Sequence, residues 1–121
     1  MNTQQVLQAI STLRVSASPQ EMDLHRALAQ AFEAAQLPYR HEYALAPRRR
    51  IDFFIGGVGV EVKKGRPNAS ALRSQIARYL ESEQLREIVV VTQREVPLPA
   101  SVLGKRVTGV SLNRLWGVAL G

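Results

Sequence analysis

The sequence predicts an α/β protein with a mixed sheet. Its elements run helix, three antiparallel strands, helix and parallel strand, behind one extra N-terminal helix. In the stretch I-D-F-F-I-G-G-V-G-V-E-V-K-K, from Ile51 to Lys64, two apolar runs flank Gly56-Gly57, which is a hairpin signature. Ser18-Pro19-Gln20-Glu21 has the residue types of a helix start: a hydroxyl cap, proline at the first position and an acid three beyond the cap. A segment of helical period then separates the second hairpin strand from the continuous apolar run Glu87 to Thr92. A strand–helix–strand passage of that length makes a right-handed crossover and returns in parallel.

Composition limits what the chain can be. Its 121 residues suit one domain spanning 1–121, with room for a real core. Without cysteine, disulfides and zinc–thiolate sites are excluded, and an intracellular setting is expected. No apolar run approaches membrane-spanning length, and the N-terminus lacks a basic-then-apolar signal, so the expected location is cytoplasmic with no membrane partner. The net charge of +6 and the pI of about 10.5 favour a polyanionic partner. Arg48, Arg49, Arg50, Lys63, Lys64, Arg66, Arg73 and Arg78 crowd the middle of the chain, where the only acids are Asp52 and Glu61. Such a cluster is either a solvated basic face or the surround of a phosphate-handling site.

Taken in order, Thr3 is placed to cap a first helix whose Val6, Leu7, Ile10 and Leu13 share a face, a packing or dimerisation element. Val15 to Ser18 reads as a linker. The second helix is expected to reach about Gln36, before Pro38, with Leu24, Leu28, Phe32 and Ala35 as its apolar stripe. At 100° per residue Glu21 and His25 project into that stripe, so its N-terminal end borders a polar cavity. Glu21 fits two roles, a capping-box glutamate or a site acid, and His25 fits a satisfied core histidine or a ligand. Tyr39 to Leu45 alternates as a first strand, and Ala46-Pro47-Arg48-Arg49-Arg50 is a basic turn into the second.

In the hairpin, Val58, Val60 and Val62 alternate with Gly59, Glu61 and Lys63. Period two puts Glu61 and Lys63 on one face, about 7 Å apart along the strand, while Asp52 comes in on the neighbouring strand. Unpaired charge is expensive in a mostly buried sheet. A hard cation between the carboxylates removes that cost, and oxygen donors suit Mg²⁺ or Mn²⁺. Gly65 to Asn68 ends the strand. A helix from about Ser70 to Glu83 follows, with Leu72, Ile76, Tyr79 and Leu80 on its apolar face. Gln75 and Tyr79, one turn apart, are either a polar flank or a pair that reaches a phosphate or base. Glu87 to Thr92 reads as a buried strand, Gln93 to Gly104 as loop, Arg106 to Leu112 as an edge strand, and Asn113 to Gly121 as a short helix or tail.

Asp52, Glu61 and Lys63 in this order resemble the D-x(n)-[DE]-x-K motif of the PD-(D/E)XK nuclease superfamily, with Ile51 where the family name places proline. Gln75-Ile-Ala-Arg-Tyr79 resembles the Q-x-x-x-Y motif of the branch holding the RecB and AddAB nuclease domains. Glu21 and His25 match the acid and the histidine that members carry on the preceding helix. The resemblance spans roughly Ser18 to Thr92. It implies a restriction-endonuclease-like αβββαβ core and hydrolysis of DNA phosphodiesters, structure-specific or non-specific.

It also implies roles. Asp52, Glu61 and the carbonyl of Val62 would bind Mg²⁺ or Mn²⁺, with Glu21 or His25 completing the shell. Carboxylates beside a lysine favour its charged form, so Lys63 would orient water and stabilise developing charge. Gln75 and Tyr79 would position the substrate strand, and Arg48, Arg49, Arg50, Lys64, Arg66 and Arg73 would hold flanking phosphates. So small a nuclease is expected to act as a homodimer or with a larger protein partner. Two other classes fit the sequence: a non-catalytic nucleic-acid-binding or assembly module on the same fold, and an α/β domain whose basic middle is incidental.

Overall fold

The computed structural model describes residues 3–15 and 19–115. The hairpin at its centre joins β2 (Arg49–Ile55) to β3 (Val58–Lys63). Its turn places Gly56 at φ 53° and Gly57 at φ 92°. Positive φ at both central residues matches the twist of the flanking strands, and glycine adopts it without steric cost. Around the hairpin forms one six-stranded sheet in the order β1-β2-β3-β4-β6-β5, with β1 at Arg40–Ala46, β4 at Glu87–Thr92, β5 at Ser101–Val102 and β6 at Lys105–Ser111. The β1–β2 and β2–β3 pairs are antiparallel, whereas β4 runs parallel to both β3 and β6.

Helices cover both faces. On one side lie α1 (Thr3–Ile10) and α2 (Glu21–Ala34), whose Val6, Ile10, Leu24, Leu28 and Phe32 pack on Phe53, Ile55, Val58, Val60, Val62, Val89 and Val91. On the other, α3 (Ala69–Leu80) packs Leu72, Ile76, Tyr79 and Leu80 against Ile51, Ile88 and Val90. The β3 valines all serve the α1–α2 layer, whereas β4 buries Val89 and Val91 on that side and Ile88 and Val90 on the other, which is why the β4 run is apolar throughout. The result is a mixed α+β architecture, and among the described residues no helix is long and apolar enough to cross a membrane.

Several expected boundaries shift for local reasons. Thr3 is the first described residue of α1 and lies inside the helix rather than capping it. Ser18 lies outside the described residues, and α2 takes Gln20 as its N-cap. The Asp23 carboxylate, three residues on, accepts from the Gln20 N–H at 2.8 Å. Glu21 is therefore the first helical residue and has no capping duty.

The same helix stops before Gln36, which adopts φ 59°. The Leu37 N–H donates to the Phe32 carbonyl at 2.9 Å, and Leu37 is buried in place of the exposed Ala35. This is a Schellman ending with glutamine in the left-handed position.

At the far side, β6 is not the edge. A buried parallel strand needs partners on both flanks, so β6 pairs with β4, and the two-residue β5, inside the expected loop, closes the sheet. A one-turn α4 (Leu112–Leu115) follows. The remainder of the expected tail, including Trp116, lies outside the described residues.

Candidate metal and phosphate site

The β2–β3 ladder contains only the pairs Phe53↔Val60, Phe54↔Gly59 and Ile55↔Val58. Beyond Phe53 the strands part, and carboxylates take the place of the missing carbonyl acceptors. The Asp52 N–H donates to Glu61 Oε1 at 3.3 Å, and the Val62 N–H donates to Asp52 Oδ2 at 2.8 Å. The two acids are thereby locked in the fork of the hairpin by the backbone of the opposite strand.

A slip in side-chain alternation opens this fork. Phe53 and Ile55 face the α1–α2 layer, whereas Ile51, two residues before Phe53, faces α3. Strict period two would put all three on one side. Asp52 is the residue at which β2 changes face, and its carboxylate is seen from both layers. From the α2 side His25 approaches, its Nε2 lying 3.7 Å from Asp52 Oδ2. From the α3 side, Glu61 Oε2 meets Lys63 Nζ at 3.3 Å and the Tyr79 hydroxyl at 3.2 Å. The hydroxyl also reaches the Arg50 carbonyl at 2.8 Å and accepts from Gln75 Nε2 at 3.0 Å. Gln75 and Tyr79 are thus tied to the acids by a continuous hydrogen-bonded chain.

The electrostatics follow from burial. Glu61 is only 2 % exposed. Desolvation, then the nearby charge of Asp52, push its pKa up to about 7, against the pull of Lys63 and the Asp52 N–H. Desolvation also raises Asp52, outweighing the Val62 N–H and the charges of His25 and Lys63, while Glu21 pushes it further the same way. Burial and the two carboxylates drive the Tyr79 phenol upward as well, so it stays a neutral donor. Two half-repelling carboxylates in a desolvated fork form an oxygen-rich donor set that a hard divalent cation would relieve. The residues present fit such an ion.

The other expected residues divide. Glu21, exposed in the first turn of α2, is felt at Asp52 through its charge but makes none of the site's hydrogen bonds or ion pairs. Val62 enters through its backbone, its side chain being buried in the core. Arg49 is engaged elsewhere, with Glu81 at 3.3 Å and the Arg78 carbonyl at 3.0 Å, and Lys64 donates to Gln20 Oε1 at 3.2 Å. Both were expected as phosphate contacts, and both have intramolecular partners, at the C-terminal end of α3 and the start of α2. Arg48, Arg66 and Arg73 are exposed and make no ion pair among the described residues, and Arg50 is exposed too, offering its carbonyl to Tyr79.

One neighbour was not foreseen. His41 Nε2 lies 2.8 Å from His25 Nδ1, and the His41 ring stacks on Phe53 with centroids 4.8 Å apart. Alternation along β1 gave no signal for this contact.

No protein-family model matches this chain, and comparison with curated proteins and with solved structures likewise finds no match.

Proposed function

We propose that this chain is a Mg²⁺- or Mn²⁺-dependent nuclease hydrolysing DNA phosphodiesters, on a restriction-endonuclease-like core of the PD-(D/E)XK type. The observation that carries the reading is the pair Asp52 and Glu61 in the hairpin fork, with Lys63 at 3.3 Å from the second acid. The element order α2-β1-β2-β3-α3-β4 and the Gln75–Tyr79–Glu61 chain support it.

Asp52 and Glu61 would hold the ion, with the Val62 carbonyl and His25 or Glu21 nearby. When bound, such an ion neutralises charge building on a phosphate and makes water a better nucleophile. Lys63, held by Glu61, keeps an ammonium beside the acids, suited to orienting water and stabilising the anionic transition state. Tyr79, kept neutral, fixes Glu61 and passes the alignment of α3 to it through Gln75. The exposed Arg48, Arg50, Arg66 and Arg73 are free to meet flanking phosphates, which fix the register of a nucleic acid without reading its bases.

The test is incubation with labelled single-stranded, duplex, flap and four-way DNA in Mg²⁺, Mn²⁺ or chelator. Metal-dependent cleavage should vanish in Asp52→Ala and in Lys63→Ala while circular dichroism stays unchanged. Equal cleavage by both variants would overturn the proposal. Salt-sensitive binding with no cleavage in either metal would instead identify a binding or assembly module.

A further inference from the structure

We propose a second cation site, chemically distinct from the carboxylate fork: a borderline divalent ion of the Zn²⁺ or Co²⁺ class bound by His25, His41 and Glu42. Ligand atoms of these three side chains all lie within 4.8 Å of one another, and the two ring nitrogens that face each other, His25 Nδ1 and His41 Nε2, are 2.8 Å apart.

The backbone is built to make this convergence. Consecutive strand residues normally point to opposite faces, so His41 and Glu42 should not meet one partner. Glu42, however, has φ 52°, a region that a non-glycine residue occupies at a cost and that clusters at functional positions. The alternation of β1 slips there. His41 stacks on Phe53, in the α1–α2 layer, whereas Tyr43, two residues on, stacks on Phe54 at 4.4 Å and joins the α3 layer. The β1–β2 register pairs His41 with Phe53 and Tyr43 with Ile51, which leaves Glu42 opposite Asp52, where β2 slips as well. Matched slips in two paired strands bring a histidine and a carboxylate from β1 to the same histidine of α2.

The donor set selects the metal class. Two imidazoles and one carboxylate suit Zn²⁺ and its neighbours, not Mg²⁺, which takes oxygen donors and keeps its waters. Metal–nitrogen bonds of about 2.0–2.1 Å need donor atoms roughly 3.3 Å apart in a tetrahedron, so the rings must separate by about half an ångström from their hydrogen-bonded contact. His41 and Glu42 are exposed and His25 is buried, which gives the ion an entry route and leaves a fourth position for water. The support behind the ligand is also in place. With Nδ1 on the metal, His25 Nε2–H faces Asp52 Oδ2, now 3.7 Å away, the carboxylate–histidine–metal arrangement that fixes ring tautomer and orientation. Bound there, the ion would clamp α2 to β1 directly behind Asp52.

Co²⁺ is the probe, titrated into the purified full chain without nucleic acid, both in wild type and in a Glu61→Gln background that disables the carboxylate pair. The expected result is one equivalent of Co²⁺ with visible d–d absorption of a low-coordinate nitrogen site in both proteins, displaced by Zn²⁺ but not by excess Mg²⁺. His41→Ala should abolish the absorption, Glu42→Gln should weaken binding by about tenfold or more, and Asp52→Asn should weaken it about 10- to 100-fold. Thermal melts without metal report whether each variant folds, and His41 and Glu42 are exposed enough for substitution. Absence of the absorption, or an unchanged signal in His41→Ala and Glu42→Gln, overturns the site. Loss of the signal in Glu61→Gln alone would assign the ion to the fork instead. Because no cleavage is read, the result stands apart from the nuclease reading.

Discussion

Glu61 is the residue on which stability and chemistry pull against each other. Its carboxyl, about 4.5 in the unfolded chain, is raised to about 7 in the fold. The native protein therefore holds a proton that the unfolded chain releases, and stability of the metal-free protein falls as pH rises from about 4.5 through about 7. The size is on the order of 3 kcal/mol, reduced by whatever relaxation the fork allows. Glu61→Gln should flatten that slope and raise the melting temperature at pH 8, while abolishing cleavage. Thermal melts of both proteins from pH 4.5 to 8 check it, and parallel slopes would refute the assignment. Lys63, one strand period away on the same face, was legible in the sequence because alternation alone sets that spacing. His25 was legible as a polar group on an apolar stripe, but its second partner, His41, was not, since regular alternation offers no reason for it to meet α2.

At the scale of the element, the hairpin positions everything. Its turn needs Gly56 and Gly57 for their backbone angles, but Gly59 serves a different end. A Cβ there would clash with Ile51 Cδ1 and meet Leu85 Cδ2 at 3.1 Å. Ile51 is fully buried and adjoins Asp52, so it has little freedom to retreat. Gly59→Ala should cost about 1–3 kcal/mol of stability, read as a lower urea midpoint at unchanged m-value. It should also reduce cleavage beyond the loss of folded protein, because the displaced Ile51 drags Asp52. The hairpin and its period were readable from residue types. The fork was not, because both strands keep strand-forming residues through the point where their ladder stops.

Across the whole molecule, the cations behind the charge of +6 divide into those with intramolecular partners and those left exposed. Arg49 and Lys64 have intramolecular partners, while Arg48, Arg66 and Arg73 are exposed. Replacing these three with alanine in a Lys63→Ala background should weaken DNA binding and reduce the slope of log K against log salt by roughly 2 to 3. Fluorescence anisotropy over a salt series measures it, and an unchanged slope would place the phosphate contacts elsewhere. The parallel return of β4 on β3 was predictable, since crossover handedness and a continuous apolar run leave few alternatives. The insertion of β6 beside β4 was not, for it depends on pairing between residues 19 apart that local pattern does not encode.

By itself the sequence determined which residues alternate, where the chain turns and where its charge lies, because these follow from backbone period, glycine and composition. Only the tertiary structure decided where the hairpin ladder opens into a fork, which cations are free and which histidines meet. The fork and the histidine contact turn on Asp52 and Glu42, two opposed strand positions at which alternation slips, and a slip of one residue is held in place by packing against both layers rather than by any local preference.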